Sequence, residues 1–405
     1  MNIKMITYKL GDLCDLVNGY AFKSKDYVEE SNTLICRMSN IRPGGYFDIN
    51  YSRKFVPDNF KELYRDYILK DGDLIIAMTD LANDPKILGV PTIVNTEGYE
   101  LLLNQRVGKL VIKSIDIVNP KYLSYILTHS SYKEYYKKFA AGGLQINISK
   151  KDILNILVPI PELEIQNKIV AIVDKLNILI DKRQSQITAL DELTQSVFLE
   201  MFGEPIANPK KFELVNLGNL GDWKSGGTPS RANNKYYMGN IPWLSSGELN
   251  ELFTYKSIEH ITEEAINNSA VKLIEEDSLL LGMYDTAALK STINRVKCTC
   301  NQAIAFAKIE EKKASTIYIY FYIQFAKDHL KRQQRGVRQK NLNLSMIKDL
   351  SVVLPPIDKQ YEFEKKAIVL YEEKQSLIEA LKQFGNLYNS ILQRAFKGEL
   401  FQEQS

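Results

Sequence analysis

The chain is written twice, and the duplication constrains its fold more than any single motif. Lys9-Leu10-Gly11-Asp12-Leu13 returns as Asn216-Leu217-Gly218-Asn219-Leu220, and Asn104-Gln105 returns as Asn301-Gln302. Asn147-Ile148-Ser149 returns as Asn343-Leu344-Ser345, each soon followed by Asp152-Ile153 or Asp349-Leu350. Val158-Pro159-Ile160-Pro161 answers Leu354-Pro355-Pro356-Ile357. Each copy then runs into a long heptad-patterned segment closed by Phe202-Gly203 or Phe396-Lys397-Gly398. A period of roughly 195 residues is too long for a solenoid unit. It describes a duplicated domain with a helix attached, and hence two similar heads suited to a target with two parts.

Each half of a 405-residue chain can bury its own core. The net charge of +3 excludes a uniformly basic coat, so any nucleic-acid surface must be local. The four cysteines, Cys14, Cys36, Cys298 and Cys300, form no C-x-x-C pair, and His129, His260 and His329 are not spaced as zinc ligands. Reduced thiols in a cytoplasmic protein are the natural reading. Residues 1–20 lack a signal peptide's apolar core, and no apolar run reaches the ~18 residues of a membrane span.

The first head, 1–155, reads as mixed structure. Asp73–Met78 and Val107–Ile112 have the look of strands, with turns at Pro43-Gly44-Gly45 and Asp71-Gly72-Asp73. Asn119-Pro120 predicts a capped helix running to about Phe139, before Gly142-Gly143. The second head repeats the plan over 210–352, with strands near Ser278–Met283 and Ala303–Ile309 and a helix near Thr316–Gln333.

Two long helices are predicted, over Glu162–Phe202 and Asp358–Lys397. Ile169, Ile172, Leu176 and Leu179 begin the first apolar seam, which is missed once at Arg183. Phe363, Ala367, Leu370 and Leu377 begin the second, missed once at Lys374. Gaps of three and four sustained for about five heptads mark a coiled coil, about 60 Å long at 1.5 Å per residue. If the helices pair within the chain they must run antiparallel, with the heads at opposite ends. A homodimer zipper is the alternative.

No G-x-G-x-x-G and no Walker loop occurs, so neither a dinucleotide nor an ATP site is supported. The Pro355-Pro356 pair lacks the aromatic neighbour of an adenine methyltransferase motif and reads as helix entry. Glu310 and Lys312 lack the upstream Asp of a nuclease and read as solvated charge. Two basic regions remain at matching places. In head one, Tyr122, Tyr125, Tyr132, Tyr135 and Tyr136 accompany Lys133, Lys137 and Lys138, leading to Gln145. In head two, Lys327, Lys331, Arg332, Arg335, Arg338 and Lys340 surround Gly336, with Gln339 and Asn341. Lysine and arginine neutralise phosphates, while Gln and Asn pair with base edges. Residues 248–277, with eight acidic and two basic side chains, are expected to face away from DNA.

Several runs resemble the specificity subunit of type I restriction–modification systems. These are Ser225-Gly226-Gly227-Thr228-Pro229-Ser230, Tyr236-Tyr237, Ile241-Pro242-Trp243-Leu244-Ser245-Ser246-Gly247-Glu248, Cys300-Asn301-Gln302-Ala303, Gln339–Leu344 and Ala395–Leu400. The resemblance covers essentially the whole chain and is looser in head one. There Val17–Lys23 stands where the Gly-Gly-Thr-Pro loop would be, without Thr-Pro, and Arg37-Met38-Ser39-Asn40-Ile41 stands where Trp-Leu-Ser-Ser stands in head two.

The resemblance implies an α+β chain with two pseudo-symmetric target recognition domains separated by two long antiparallel coiled-coil helices. The expected bounds are 1–157 for the first domain, 158–206 for the first spacer helix, 207–353 for the second domain and 354–405 for the second helix. Each domain would read one half of a split asymmetric site in double-stranded DNA. The chain would carry no catalysis, cofactor or metal. Two modification subunits would bring S-adenosylmethionine, and restriction subunits would use ATP and Mg2+. A DNA-modifying enzyme with its own activity is the alternative. Candidate DNA contacts in head one are Tyr20, Lys23, Arg37, Asn40 and Arg42, then Lys133, Lys137, Lys138 and Gln145. In head two they are Lys224, Thr228, Arg231, Ser245 and Ser246, then Arg335, Arg338, Gln339 and Lys340.

Overall fold

A computed structural model describes residues 5–139, 144–284, 288–334 and 341–401, with backbone only for 331–334. The chain divides into two units: Met1–Arg183 with Ala380–Ser405, and Gln184–Glu379.

Unit one holds a sheet ordered Cys14–Asn18, Val107–Ile112, Leu74–Ala77, Pro91–Ile93, with antiparallel neighbours. Its second sheet places Thr33–Cys36 parallel to Glu100–Leu103, flanked by Phe55–Val56 and Ile68–Leu69. Unit two repeats both. Lys224–Ser225, Ile304–Ala307, Leu279–Gly282 and Ser291–Asn294 lie in the same order, extended by Phe253–Thr254. Ile241–Leu244 runs parallel to Thr299–Cys300. Leu74–Ala77 and Leu279–Gly282 are buried at every position, which is why they read as unbroken apolar runs.

A short two-stranded ribbon closes each head. Ile6–Lys9 pairs with Leu157–Ile160, and Glu213–Asn216 pairs with Ser351–Leu354. These ribbons correct the register of the repeat. The equivalent helix caps are Ser149 and Asn343, each accepting from the backbone N–H three residues on. The look-alike tripeptides Asn147–Ser149 and Asn343–Ser345 are therefore offset by two. Ser and Asn serve interchangeably as caps, so the capping position is shared although the letters differ. The same shift makes Ile153 the partner of Ile347, both fully buried, and aligns Ile160-Pro161 with Leu354-Pro355.

The helix expected over 120–139 is two helices, Pro120–Ile126 and Ser130–Lys137. Asn119 caps the first, accepting from Lys121 and Tyr122. The break comes at His129, which leaves helical conformation and accepts from the Ser131 N–H as a new cap. Unit two carries Phe325 at the matching place, and Thr316–Gln334 continues unbroken.

The long helices span Leu163–Phe202 and Ile357–Lys397. Within unit one, Ile169 and Leu176 share a core with Ile391 and Ala395, and the Arg183 guanidinium lies over Phe384 at 6.0 Å. Within unit two, Asp191 meets Lys374 at 2.6 Å, and Phe202 meets Phe363 with ring centroids 5.6 Å apart. Later residues of one helix meet earlier residues of the other, so both packings are antiparallel. The two seam positions that break the apolar pattern, Arg183 and Lys374, are the ones filled by a cation–π contact and an ion pair. Each helix ends on a glycine at positive φ, Gly203 at 83° and Gly398 at 73°, a left-handed cap that a β-carbon disfavours.

Candidate nucleic-acid interface

The candidate loops rest on one framework built twice. In unit one, the Gly19 N–H donates to the Val107 carbonyl at 3.3 Å and the Tyr20 N–H to the Leu103 carbonyl at 2.9 Å. In unit two, the Gly226 N–H donates to Ile304 at 3.0 Å and the Gly227 N–H to Cys300 at 2.9 Å. A β-carbon on Gly19 would lie 2.3 Å from the Asn104 carbonyl oxygen, and one on Gly226 2.3 Å from that of Cys300. Both glycines therefore admit the close approach of the loop to the Asn-Gln turn. That turn is tied to the next loop in both units: Asn104 donates to Cys36 at 3.1 Å and Asn301 to Leu244 at 3.0 Å. Beyond these strand ends, the Arg37 N–H donates to the Asn40 side chain and the Ser245 N–H to the Glu248 carboxylate, each at 2.8 Å.

What the frameworks present differs. In unit one, exposed Tyr20 stands in an aromatic cluster, its ring 4.5 Å from Tyr64 and 5.0 Å from Phe22. Lys23 is exposed and Arg37 half-buried. The Arg42 guanidinium stacks 3.6 Å over Tyr51. Asn40 is a correction. It is 4% exposed, its amide oxygen accepts from Arg37, and its amide nitrogen donates to the Asp48 and Tyr51 carbonyls. With both ends of its amide committed, Asn40 braces the loop and offers nothing to a base.

In unit two, Thr228 is exposed and its hydroxyl bonds the Gln302 side chain. Arg231 makes a bidentate contact with Glu259 at 2.8 and 2.7 Å and lies 4.2 Å over Tyr237 and 5.1 Å from Trp243. The guanidinium fork holds the Glu259 carboxyl below the usual carboxylate range, and the carboxylate raises Arg231 in return. Lys224 pairs with Asp222 at 2.7 Å. Ser245 is half-buried and donates to Glu248 at 2.8 Å, while Ser246 is half-buried beside it. Glu248 and Glu259 belong to the acidic stretch expected to face away. Strand pairing instead sets Glu259 beside Trp243, where it binds Arg231, and a local turn carries Glu248 back to bind Ser245, so both carboxylates stand at the candidate rim.

The aromatic part of the basic regions is mostly core. Tyr122, Tyr132 and Tyr136 are at most 5% exposed: Tyr122 lies on the inward side of the first short helix, and Tyr132 and Tyr136, four apart, on that of the second. Lys133, Lys137 and Lys138 face solvent, Lys137 paired with Glu134 at 2.7 Å. Gln145 is exposed on a strand paired with Thr79–Leu81. Arg335, Gly336, Arg338, Gln339 and Lys340 lie outside the described residues, as do Gly142 and Gly143.

Sequence reasoning missed a pair of buried glutamines. The Gln166 amide nitrogen donates to the Ile117 and Pro161 carbonyls, and its oxygen accepts from the Asn119 N–H, all at 2.8 Å. Gln360 donates to Pro355 at 2.7 Å and accepts from Ser315 at 3.0 Å. Both are fully buried. Each fastens the start of a head helix to the start of a long helix. Tyr122 and Tyr318 add hydroxyl bonds to the Pro159 and Val353 carbonyls at 2.9 and 2.8 Å. The signal was present as Pro161 and Gln166 recurring at the spacing of Pro355 and Gln360.

Residues 2–190 and 209–394 each match the model of the type I restriction modification DNA specificity domain. The chain belongs to this family. The type I restriction enzyme EcoR124I/EcoR124II specificity subunit of Escherichia coli is 29% identical over 240 residues, which is 58% of this chain and 55% of that one. This chain thus spans about half the length of that relative. The type I restriction enzyme MjaIX specificity subunit of Methanocaldococcus jannaschii is 22% identical over 324 residues, 75% of this chain and 74% of that one. The S subunit of a type I system from M. genitalium shares the fold at a TM-score of 0.61 and 12% identity, covering 100% of this chain and 98% of that one.

Proposed function

We propose that this chain is the non-catalytic reader of a bipartite, asymmetric site in double-stranded DNA. Head one, over 1–157, reads one half and head two, over 207–353, reads the other. The long helices within 158–206 and 354–405 set the gap between them. The observation that carries this reading is the doubled framework with unlike rims. The Gly19 and Gly226 loops make the same backbone bonds, yet one rim offers Tyr20 and Arg37 where the other offers Thr228 and Ser245. A common scaffold with different side chains is what two different half-sites require.

In this reading the chemistry belongs to partners. Two modification subunits bring S-adenosylmethionine and methylate adenine, and restriction subunits use ATP and Mg2+. The chain itself holds no cofactor and acts in the cytoplasm. Among the described residues no helix is long and apolar enough to cross a membrane, and no group of three His, Cys, Asp or Glu is placed to hold a metal. The test has two parts. Calorimetry of the purified chain with S-adenosylmethionine should give no binding; micromolar affinity would overturn the non-enzymatic reading. Mapping methylated adenines with and without the chain should show a split motif that depends on it.

A further inference from the structure

We infer that unit two contains a binding site for a small organic cation, a primary ammonium or guanidinium group, set between the helix Thr316–Gln334 and the two long helices. A cavity of about 400 Å3 opens there. Asp191, Glu192 and Glu251 line it, and Lys374 is the one basic side chain in its lining. Lys374 is committed to Asp191 at 2.6 Å. Glu192 and Glu251 have no ion pair among the described residues, so the lining carries uncompensated negative charge. Tyr320, Phe321, Phe325 and Tyr371 supply aromatic wall, the surface that favours a cation over a neutral guest.

A second observation points into the same space. Tyr320 is only 8% exposed and lines the cavity, and its hydroxyl is accessible there, making no hydrogen bond within the described residues. An accessible hydroxyl at a cavity wall can accept from an ammonium or guanidinium N–H. Burial pushes the Tyr320 phenol up, with Glu251, Tyr371 and Asp191 adding to the shift. The hydroxyl therefore stays protonated and neutral beside those carboxylates.

The duplication provides an internal comparison. The positions of unit one that answer Asp191, Glu192, Glu251 and Tyr320 are Gly385, Asn386, Pro43 and Ser124. None of the carboxylates and neither the ring nor the phenol is repeated. The recess at the corresponding place in unit one is lined instead by His129, Lys133 and Lys397, with no carboxylate. The four answering positions of unit one carry no charge, so the acidic, aromatic lining is not a requirement of the fold. The inference is independent of the DNA-recognition reading.

The probes are agmatine and putrescine, titrated calorimetrically into the full chain, with butyramide as an uncharged guest of similar size. One saturable site per chain is expected for the cations and none for butyramide. Glu251→Gln removes an exposed charge without cutting the core and should weaken binding at least about tenfold. Tyr320→Phe keeps the ring and should weaken it severalfold. The complex reconstituted with modification subunits separates two sources of the cation. Uptake by both the chain and the complex assigns the site to a free polyamine-like cation; uptake by the chain alone assigns it to a basic side chain of a partner. No saturable binding of either cation, equal binding of butyramide, or affinities unchanged in both variants would overturn the inference.

Discussion

Replacing Gln166 by Leu tests how the first head is fastened to its long helix. The side chains are similar in size, and Gln166 is fully buried, so the substitution removes polar atoms and little volume. It orphans one donor, the Asn119 N–H, and two acceptors, the Ile117 and Pro161 carbonyls. Each fully buried orphan costs about 1–3 kcal/mol; only the Pro161 bond is fully buried, while Asn119 and Ile117 lie nearer solvent, so the loss is about 2–4 kcal/mol before relaxation. The added apolar burial of Leu offsets about 1 kcal/mol of this. Gln360→Leu orphans the Ser315 N–H and the Pro355 carbonyl, fewer bonds but both fully buried, so its cost should be of similar size. Native-state hydrogen exchange reads each site separately. In Gln166→Leu, protection of the Asn119 amide should fall by one to two orders of magnitude, since a tenfold change is about 1.4 kcal/mol. The Ser315 amide, in the other unit, should hold its protection. Undiminished protection at Asn119, or an equal loss at Ser315, would refute the reasoning.

Gly226→Ala should destabilise unit two by more than 2 kcal/mol, because its β-carbon meets the Cys300 carbonyl oxygen at 2.3 Å and overpacking against backbone typically costs about 1–3 kcal/mol or more; urea unfolding measures it. Gly385→Ala should do the opposite, since nothing lies within 4 Å of the new β-carbon and a mid-helix Gly-to-Ala change adds about 0.5–1 kcal/mol. Burial pushes the Cys14 and Cys298 thiols up to about 12, and raises Cys36 and Cys300 as well. All four should therefore resist iodoacetamide in the native state at pH 8 and react fully in denaturant, by intact mass. Arg231→Ala should either cut the log–log salt slope of DNA binding by about 0.9 or relax one half-site at a cost of about 1–3 kcal/mol; unchanged slope and methylation motif would place the DNA on another surface. One heptad added to each long helix, after Leu176 and near Leu387, adds about 10 Å. The methylated motif's gap should grow by about three base pairs, and an unaltered gap with retained activity would remove the helices from spacing.

The sequence by itself determined the duplication, the two long helices and the strands buried on both faces. Each is a periodic or repeated signal, and periodicity survives without knowledge of the fold: the predicted Glu162–Phe202 and the observed Leu163–Phe202 differ by one residue. Charge at Arg183 and Lys374 was legible as a break in the seam. What answers it, Phe384 and Asp191, was not, because the partner lies on the other helix. The candidate rim was legible in part. Gly19 and Gly226 could be matched by position, but only strand pairing shows that both press on the Asn-Gln turn.

Tertiary structure alone decided which polar residues face inward. Asn40 resembles a base reader in sequence and is a buried brace. Tyr122, Tyr132 and Tyr136 accompany the basic side chains in sequence and are core. Glu248 and Glu259, in a stretch whose acidity argued for the far side, stand at the rim beside Ser245 and Arg231. The physical reason is common to all of them. A side chain's chemistry is local, but whether it meets water, backbone or another side chain depends on how the chain folds around it, through nearby turns as at Asn40 and Glu248 or through distant partners as at Arg231 and Glu259. A sequence states what a residue can donate or accept; only the packed fold states what has already been given to it.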